Sequence, residues 1–409
     1  MDINFIYLRS KITTDHRFLD KEKNNFLNSL NLNNDFNFSK NGINIFFIET
    51  GGTEEEFESI YKNYKEPYYL LATNANNSLP ASLEITSFLN KNNAKFHLFH
   101  GTSEEIRKQL LSIKEIKEYS NNLINQKVRV LENKRYGVVG KPSNWLISSG
   151  VDYKLAKTKF GVELIDISFS EFSNEINNAS DVVYTSTFRK YLNEKIDEET
   201  LSKALKIYSA LRNLIIKYNL NGLTVRCFDL LESYKNTSCL ALAILNKDGY
   251  IATCEGDIPT MLSMAFIRET FHESSFQVNP SYINEIDRYG YFAHCTLPLD
   301  MCLSYEFDTH FESGLGVAIK GRLNLGNVTI FKLNSSLDRF EVFEGKISAN
   351  LHQNNLCRTQ IKVVFNEDID LLLHAPLGNH LVICYGAHKK EIINLLGIER
   401  ESSVIQLPR

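Results

Sequence analysis

No two of the seven cysteines stand at CxxC spacing. They are scattered as Cys227, Cys239, Cys254, Cys295, Cys302, Cys357 and Cys384, mostly in apolar segments. That argues against a disulfide framework or a thiolate zinc site and for reduced thiols packed as small hydrophobes. Basic charge is not clustered either. The formal net charge is -4, with Lys and Arg dispersed along the chain, so there is no stripe for a nucleic-acid backbone. No apolar run is long enough to span a bilayer, and Met1–Leu8 has neither the basic region nor the apolar stretch of a signal peptide; a cytoplasmic address is expected. A GxGxxG fingerprint, an internal repeat and a low-complexity tract are all missing, so no dinucleotide site or repeat architecture is expected.

What is present is an ordinary globular composition, 43% hydrophobic and 23% charged over 409 residues, and a length that exceeds one hydrophobic core. The first third alternates. Ile3–Leu8, Ile43–Glu49, Tyr68–Thr73 and Lys95–His100 read as strands, and Leu19–Leu30, Leu79–Leu89 and Ser103–Asn125 as helices, with Asn31–Asn37 a loop. Such alternation predicts a parallel sheet covered by helices, whose strand ends Gly51-Gly52, Thr73-Asn74 and His100-Gly101-Thr102 would edge a cleft. A second unit starts at Arg135–Gly140 and continues through helix Tyr153–Phe160, strand Val162–Ile167, the amphipathic helix Glu198–Tyr218 and strand Leu223–Cys227. Beyond a helix at Pro259–Phe271 the texture becomes short strands with glycine turns: Gly290–Leu297, Gly316–Ile319, Val328–Leu333, Phe340–Glu344, Gln360–Phe365 and Leu381–Tyr385, closed by a helix His388–Leu396. The expected fold class is α/β, with two Rossmann-like parallel α/β domains at 1–132 and 133–275 and a β-rich, barrel-like C-terminal domain at 276–409.

The stretch Ala252-Thr253-Cys254-Glu255-Gly256-Asp257-Ile258-Pro259 carries the strongest chemical signal. An apolar run delivers two carboxylates, a glycine permits close backbone approach, and a proline suits a first helical turn. On an extended segment Glu255 and Asp257 would share one side and could face one cation or one polar substrate. An acidic turn that merely caps a helix is the competing reading. Trp145, the only tryptophan, leaves a strand in the loop Lys141–Trp145 and can stack on a sugar or plug a domain seam. Among the histidines, His380 stands at the mouth of an apolar strand after Gly378-Asn379, His294 lies inside a strand and His310 in a turn, with His374 and His388 flanking; pattern alone does not choose among them.

Taken together, Gly222–Phe228, Ala252–Pro259, Phe276-Gln277-Val278-Asn279-Pro280-Ser281, Ala293-His294-Cys295-Thr296, His310-Phe311-Glu312-Ser313-Gly314, Leu356-Cys357-Arg358-Thr359-Gln360 and Gly378-Asn379-His380 resemble L-fucose isomerase-like proteins, relatives of L-fucose and L-arabinose isomerases. The resemblance covers roughly Gly137 to Leu396. It implies aldose–ketose isomerisation with a divalent, manganese-type ion held by a glutamate, a downstream acidic residue and a histidine. Glu255 and His380 match two of these, while Asn279 stands where the acid is expected. Asparagine can offer a carbonyl oxygen to a cation but cannot act as a carboxylate base. Asp257 is the substitute carboxylate, and His294 matches a site histidine of the arabinose isomerases.

Moving hydrogen between C1 and C2 through an enediol needs a base at carbon, an acid at oxygen and a charge stabiliser across both oxygens. Glu255, Asp257 and His294 are the expected catalytic groups. Glu255, Asn279 and His380 are the expected metal ligands, and Trp145, Arg226, Asn279, His310 and Arg358 the expected sugar contacts, although a structural ion pair explains either arginine equally well. The expectation is a metal-dependent isomerase of a hexose, deoxyhexose or modified, possibly sulfonated, sugar. It is set against a non-catalytic sugar-binding or regulatory protein on the same fold. Homo-oligomers, hexameric or smaller, are implied by the family, and neither nucleic acid nor membrane is an expected partner.

Overall fold

The computed structural model describes residues 2–10, 16–32, 35–113, 121–124, 126, 128–179 and 185–397. Among these residues the strands form two parallel sheets, one closed antiparallel barrel and one two-stranded ribbon. The first parallel sheet runs, in spatial order, Asn37–Phe38, Asp2–Leu8, Ile43–Ile48, Tyr68–Ala72 and Phe96–Phe99. The second runs Ile251–Cys254, Gly222–Val225, Arg135–Val139 and Glu163–Ile167. Strands such as Ile43–Ile48 and Ile251–Cys254 are apolar almost throughout because helices cover both faces of a parallel sheet.

The β-rich third closes on itself. Gly326–Leu333, Leu381–Tyr385, Ser275–Asn284, Tyr289–His294, Thr359–Phe365 and Arg339–Asn350 pair antiparallel in that order, and Arg339–Asn350 returns to Gly326–Leu333. Closure leaves these six strands without a free edge. The short strand Asn122–Leu123 then adds to the outside at Arg339–Phe340, so the chain touches the barrel before the second parallel sheet begins.

Two of the longer strands escape the sequence pattern. Ser275–Asn284 contains Pro280, which argues against a sheet interior, yet the proline sits where the register shifts between Pro280 and Tyr282. Every residue of this strand is buried, including Gln277, Asn279 and Ser281, because one side faces the barrel and the other meets helix Ser78–Lys91. Cys302–Asp308, pairing with Ala318–Leu323, is the second. The helix expected over Ser103–Asn125 is shorter. It starts with a capping box between Thr102 and Glu105 and ends at Leu111; residues 114–120 lie outside the described residues, as do 33 and 34 of the Asn31–Asn37 loop, whose Asn37 joins the first sheet.

Two helices bring the sheets and the barrel to a common corner. Ser78–Lys91 is buried from Ser78 to Leu89 with no polar face to water, because it is wedged between the first sheet and the barrel. Ile258–Phe271, with proline in its first turn and buried from Ile258 to Ile267, fills the space between the second sheet and the barrel. No helix among the described residues is long and apolar enough to cross a membrane.

Candidate active site

The strand Ile251–Cys254 ends in a left-handed corner. Glu255 has φ +65° and Gly256 φ +72° before Asp257 returns to extended backbone and caps helix Ile258–Phe271, accepting the Thr260 N–H at 2.8 Å. The two carboxylates therefore do not share one side, as an extended segment would require. The turn sends Glu255 to the wall of a cavity and leaves Asp257 behind it. Gly256 is needed here for space as well as conformation, since a Cβ would lie 2.4 Å from the Lys141 carbonyl oxygen. That close approach docks the Lys141–Trp145 loop: the Ser143 N–H donates to the Glu255 carbonyl at 2.8 Å, and the Trp145 indole Nε1–H to Glu255 Oε2 at 2.6 Å.

His380 faces the corner from the barrel. Its Nδ1 bonds Asp257 Oδ2 at 2.8 Å, while its Nε2, 3.5 Å from Glu255 Oε1, has no hydrogen-bond partner. Lys332 completes the line, 3.4 Å from Asp257 Oδ2 and donating to Thr260 Oγ1 at 2.7 Å. The side chains of Lys332, Asp257 and His380 are wholly buried. Burial alone would drive the carboxyls up and the imidazole down, but opposite charges dominate. Lys332 and His380 hold Asp257 well below the usual carboxylate range, His380 and Trp145 hold Glu255 below its ordinary value, and the two carboxylates lift His380 to about 9.

The cavity in front of Glu255 has a volume of about 310 Å³, at the small end of ligand sites. Of the residues expected from the sequence, Glu255, Trp145, Asn279, His294 and His310 line it. Asn279 Oδ1 is buried without a partner. His294 bonds Thr296 Oγ1 at 2.9 Å through Nδ1 and packs edge-on against His380; burial and the His380 charge push its ring down to about 3, so it is neutral. His310, pushed down to about 4 by burial, bonds Ser313 and meets Phe228 edge-on.

Asp257, His380 and the two arginines are not brought to the cavity wall. Arg226 donates to Asp229, the Pro142 carbonyl and Asn144 Oδ1, each at 2.9 Å, and so braces the Trp145 loop. Arg358 donates to the Thr309 carbonyl at 2.7 Å and braces the His310 turn. His374 pairs with Glu285, and His388 stacks on Phe271. Of the expected cleft edge, Gly51 and Gly52 line the main cavity, Thr73 and Asn74 line a neighbouring one, and His100 turns away to the barrel strand.

Several lining residues had no decisive sequence signal. Glu54 opens an acidic triplet that reads as a helix start, but it alone of the three is buried. Glu312 lies between His310 and Gly314, and its Oε1 accepts from Asn77 Nδ2 at 2.5 Å. Burial, with the Glu255 charge, pushes its carboxyl up toward about 7, although the side chain is open to cavity water, which weakens the effect. Asn76 and Asn77 adopt consecutive left-handed conformations, for which an asparagine run is the available hint. Glu84, fully buried on helix Ser78–Lys91, accepts from the Ser148 N–H at 2.7 Å, Ser149 Oγ at 3.1 Å and the Asn379 N–H at 3.0 Å. One carboxylate thus ties the Trp145 loop to the Asn379-His380 segment.

As a donor set, the corner offers one close group around Glu255 among the described residues. Cys254, Glu255 and His294 present atoms all within 4.8 Å of one another, and the unpartnered His380 Nε2 and Asn279 Oδ1 are further candidate ligands. A buried nitrogen and a buried oxygen without partners are what a bound cation would satisfy.

No protein-family model matches the chain. Among curated proteins it is similar to sulfoquinovose isomerases of Priestia aryabhattai and Priestia megaterium, each 22% identical over 334 residues that cover 78% of this chain and 73% of the relative. A sulfoquinovose isomerase of Alkalicoccus urumqiensis is 24% identical over 240 residues, 54% of this chain and 52% of the relative.

Proposed function

We propose that this protein is a sugar isomerase that interconverts an aldose and a ketose in the cavity walled by Glu255. The observation that carries the reading is the Asp257–His380–Glu255 line, in which a buried imidazole held by Asp257 backs the carboxylate that lines the cavity. The similarity to sulfoquinovose isomerases supports the same class of reaction. Within that class the substrate is a hexose, a deoxyhexose or a sulfonated sugar.

In this reading Glu255 takes the proton from C2 and returns it to C1. Its two oxygens are held by different partners, Trp145 on Oε2 and the His380 edge near Oε1, so the carboxylate is fixed before substrate arrives. Asp257 does not touch the sugar; it orients His380 through Nδ1 and leaves Nε2 facing Glu255 Oε1. Neutral His294 and His310 can accept or donate a hydrogen bond to sugar hydroxyls, and Trp145 with Phe228, whose rings meet edge-on, forms an aromatic wall. Glu255, His380 and Asn279 would hold a divalent cation, manganese in this reading, which when bound supplies positive charge to the sugar oxygens. Because His380 carries a proton without it, cation uptake would release that proton and strengthen as the pH rises.

The reading extends to the whole chain as Rossmann-like units at 1–132 and 133–275 followed by the barrel at 276–409. It also extends to a homo-oligomer working in the cytoplasm, where the free cysteines would stay reduced. The deciding assay is a panel of neutral and sulfonated aldoses with added Mn²⁺, followed by exchange of the C2 hydrogen with solvent. Turnover that chelator abolishes is expected. Sugar binding that chelator leaves unchanged, with no C2 exchange for any sugar, would instead identify a non-catalytic sugar-binding protein.

A further inference from the structure

The isomerisation needs two proton movements, one at carbon and one between the two oxygens, and Glu255 accounts for the first. Glu54 offers a group for the second. It opens helix Glu54–Ile60 just after the Thr50-Gly51-Gly52 turn, lines the same cavity as Glu255, and is buried to 1% exposure. Backbone N–H groups at its own helix start meet its carboxyl, yet Oε2 has no hydrogen-bond partner. The charges that act on it, from Glu84 on helix Ser78–Lys91 and from Glu255 across the corner, are both negative. An unpaired buried carboxylate would be costly, so the group is held as the neutral acid. A protonated carboxyl with one free oxygen on a sugar-sized cavity wall is a hydrogen-bond donor without an acceptor.

We propose that Glu54 is a second catalytic residue, the acid that carries a proton between the two sugar oxygens. The Glu54 O–H gives its proton to O1 of the open-chain aldose as Glu255 takes the proton from C2, which leaves an enediol, a Glu54 carboxylate and a protonated Glu255. The O2–H proton then passes to Glu54 as the C2 carbonyl forms, and Glu255 returns its proton to C1. Both carboxyls end as they began, and no oxidant or co-reactant is consumed. The assignment follows from the geometry: both carboxyls wall one cavity, Glu255 with Oε2 bound by the Trp145 indole and Glu54 with Oε2 free of any partner, so the two can divide the base and acid roles. Across the cavity the other titratable groups include Glu312, His294 and His310, of which the two imidazoles are neutral.

This inference rests on the isomerase reading, and the test separates the two. With a sugar that the wild-type chain turns over, Glu54→Gln keeps volume and an N–H donor but cannot pass a proton. It is expected to lower kcat about a hundredfold with KM within about threefold, and to abolish the alkaline limb of the pH–rate profile. Infrared difference spectra of wild type against Glu54→Gln should show a carboxylic-acid carbonyl band that sugar binding shifts, which a merely structural residue would not produce. If Glu54→Gln does not fold, Glu54→Asp keeps the acid but withdraws it by one methylene, and about a tenfold fall in kcat with the limb retained is expected. A folded Glu54→Gln within about threefold of wild-type kcat, a band that belongs to an ionised carboxylate, or an undiminished Glu54→Asp overturns the role of Glu54 and leaves the isomerase reading standing. A wild-type chain inactive on every sugar overturns both.

Discussion

His100 and His380 are both buried at seams between the barrel and a parallel sheet, and they end in opposite states. Burial pushes the His100 ring down to about 4, with the Ala72 carbonyl and distant acids opposing only weakly. Its Nδ1 lies 3.3 Å from the Ala72 oxygen and its Nε2 accepts the Ile283 N–H at 3.2 Å, so the neutral ring is a strut between the first sheet and the barrel strand Ser275–Asn284. His380 suffers the same desolvation, but Glu255 and Asp257 overcome it and lift the ring to about 9. The difference shows that depth alone does not mark a functional histidine. What marks it is a nearby carboxylate on each nitrogen and one nitrogen left without a hydrogen bond.

The two rings should become most alike in Glu255→Gln. This substitution removes the charge that faces His380 Nε2 while keeping the side-chain volume, so His380 should move toward the behaviour of His100. Turnover should fall by about a thousandfold, within the range for a lost acid–base group, with the melting temperature changed by only a few degrees. Full activity of this variant, measured on the sugar that the parent uses best, would end the assignment of the corner as the active site.

Asp257→Asn attacks the other nitrogen. Asparagine can still cap helix Ile258–Phe271, but buried Lys332 then loses its anion and His380 its orienting charge. We expect a loss of about 3 kcal/mol in urea unfolding together with roughly a tenfold to hundredfold fall in turnover or in metal affinity. A stability loss with kinetics unchanged would show that Asp257 serves the helix and not the site.

Acid sharpens the contrast from the His100 side. A ring held at about 4 when folded and near 6.5 when unfolded binds a proton more readily in the unfolded chain. Its contribution is therefore complete above about pH 6.5 and is lost as the pH falls from there through 4, by roughly 2 kcal/mol between about pH 7 and 5. The raised His380 has the opposite sign: its share is complete below pH 6.5 and fades as the pH rises through about 9. Denaturant unfolding at neutral pH and at about pH 5 should show the acid loss, and His100→Gln should shrink it without removing it, because His97, His294 and His310 are also pushed down. An unchanged slope in His100→Gln would remove His100 as a cause.

The smallest effect is expected at Trp145. Trp145→Phe keeps an aromatic wall but loses the indole N–H on Glu255, and a charge-assisted hydrogen bond of this kind is worth about 1.5–3 kcal/mol. With cavity water able to replace part of it, turnover should fall about tenfold or less. A variant that matches the parent would leave Trp145 only its packing against Phe228.

Element types are legible in the amino-acid order alone, because periodicity and apolar runs are local properties. The parallel strands other than Asn37–Phe38, the final strand Leu381–Tyr385 and the helix after Asp257 all fall where the pattern places them. The order also marks two side chains around which the cavity forms, Glu255 and Trp145, because a glycine corner and a strand end leave a trace in it, whereas His294 and His310 stand out only through the motif resemblance and not through local pattern. How those side chains are used is settled by the folded chain. Left-handed backbone at Glu255 and Gly256 separates two carboxylates that an extended segment would join. Packing of the Pro142 loop, the barrel and helix Ser78–Lys91 against one corner puts Asp257 and Arg226 behind the wall and Glu54 on it. Those outcomes depend on which distant charges come within a few ångströms of a buried group, and no spacing along the chain records that distance.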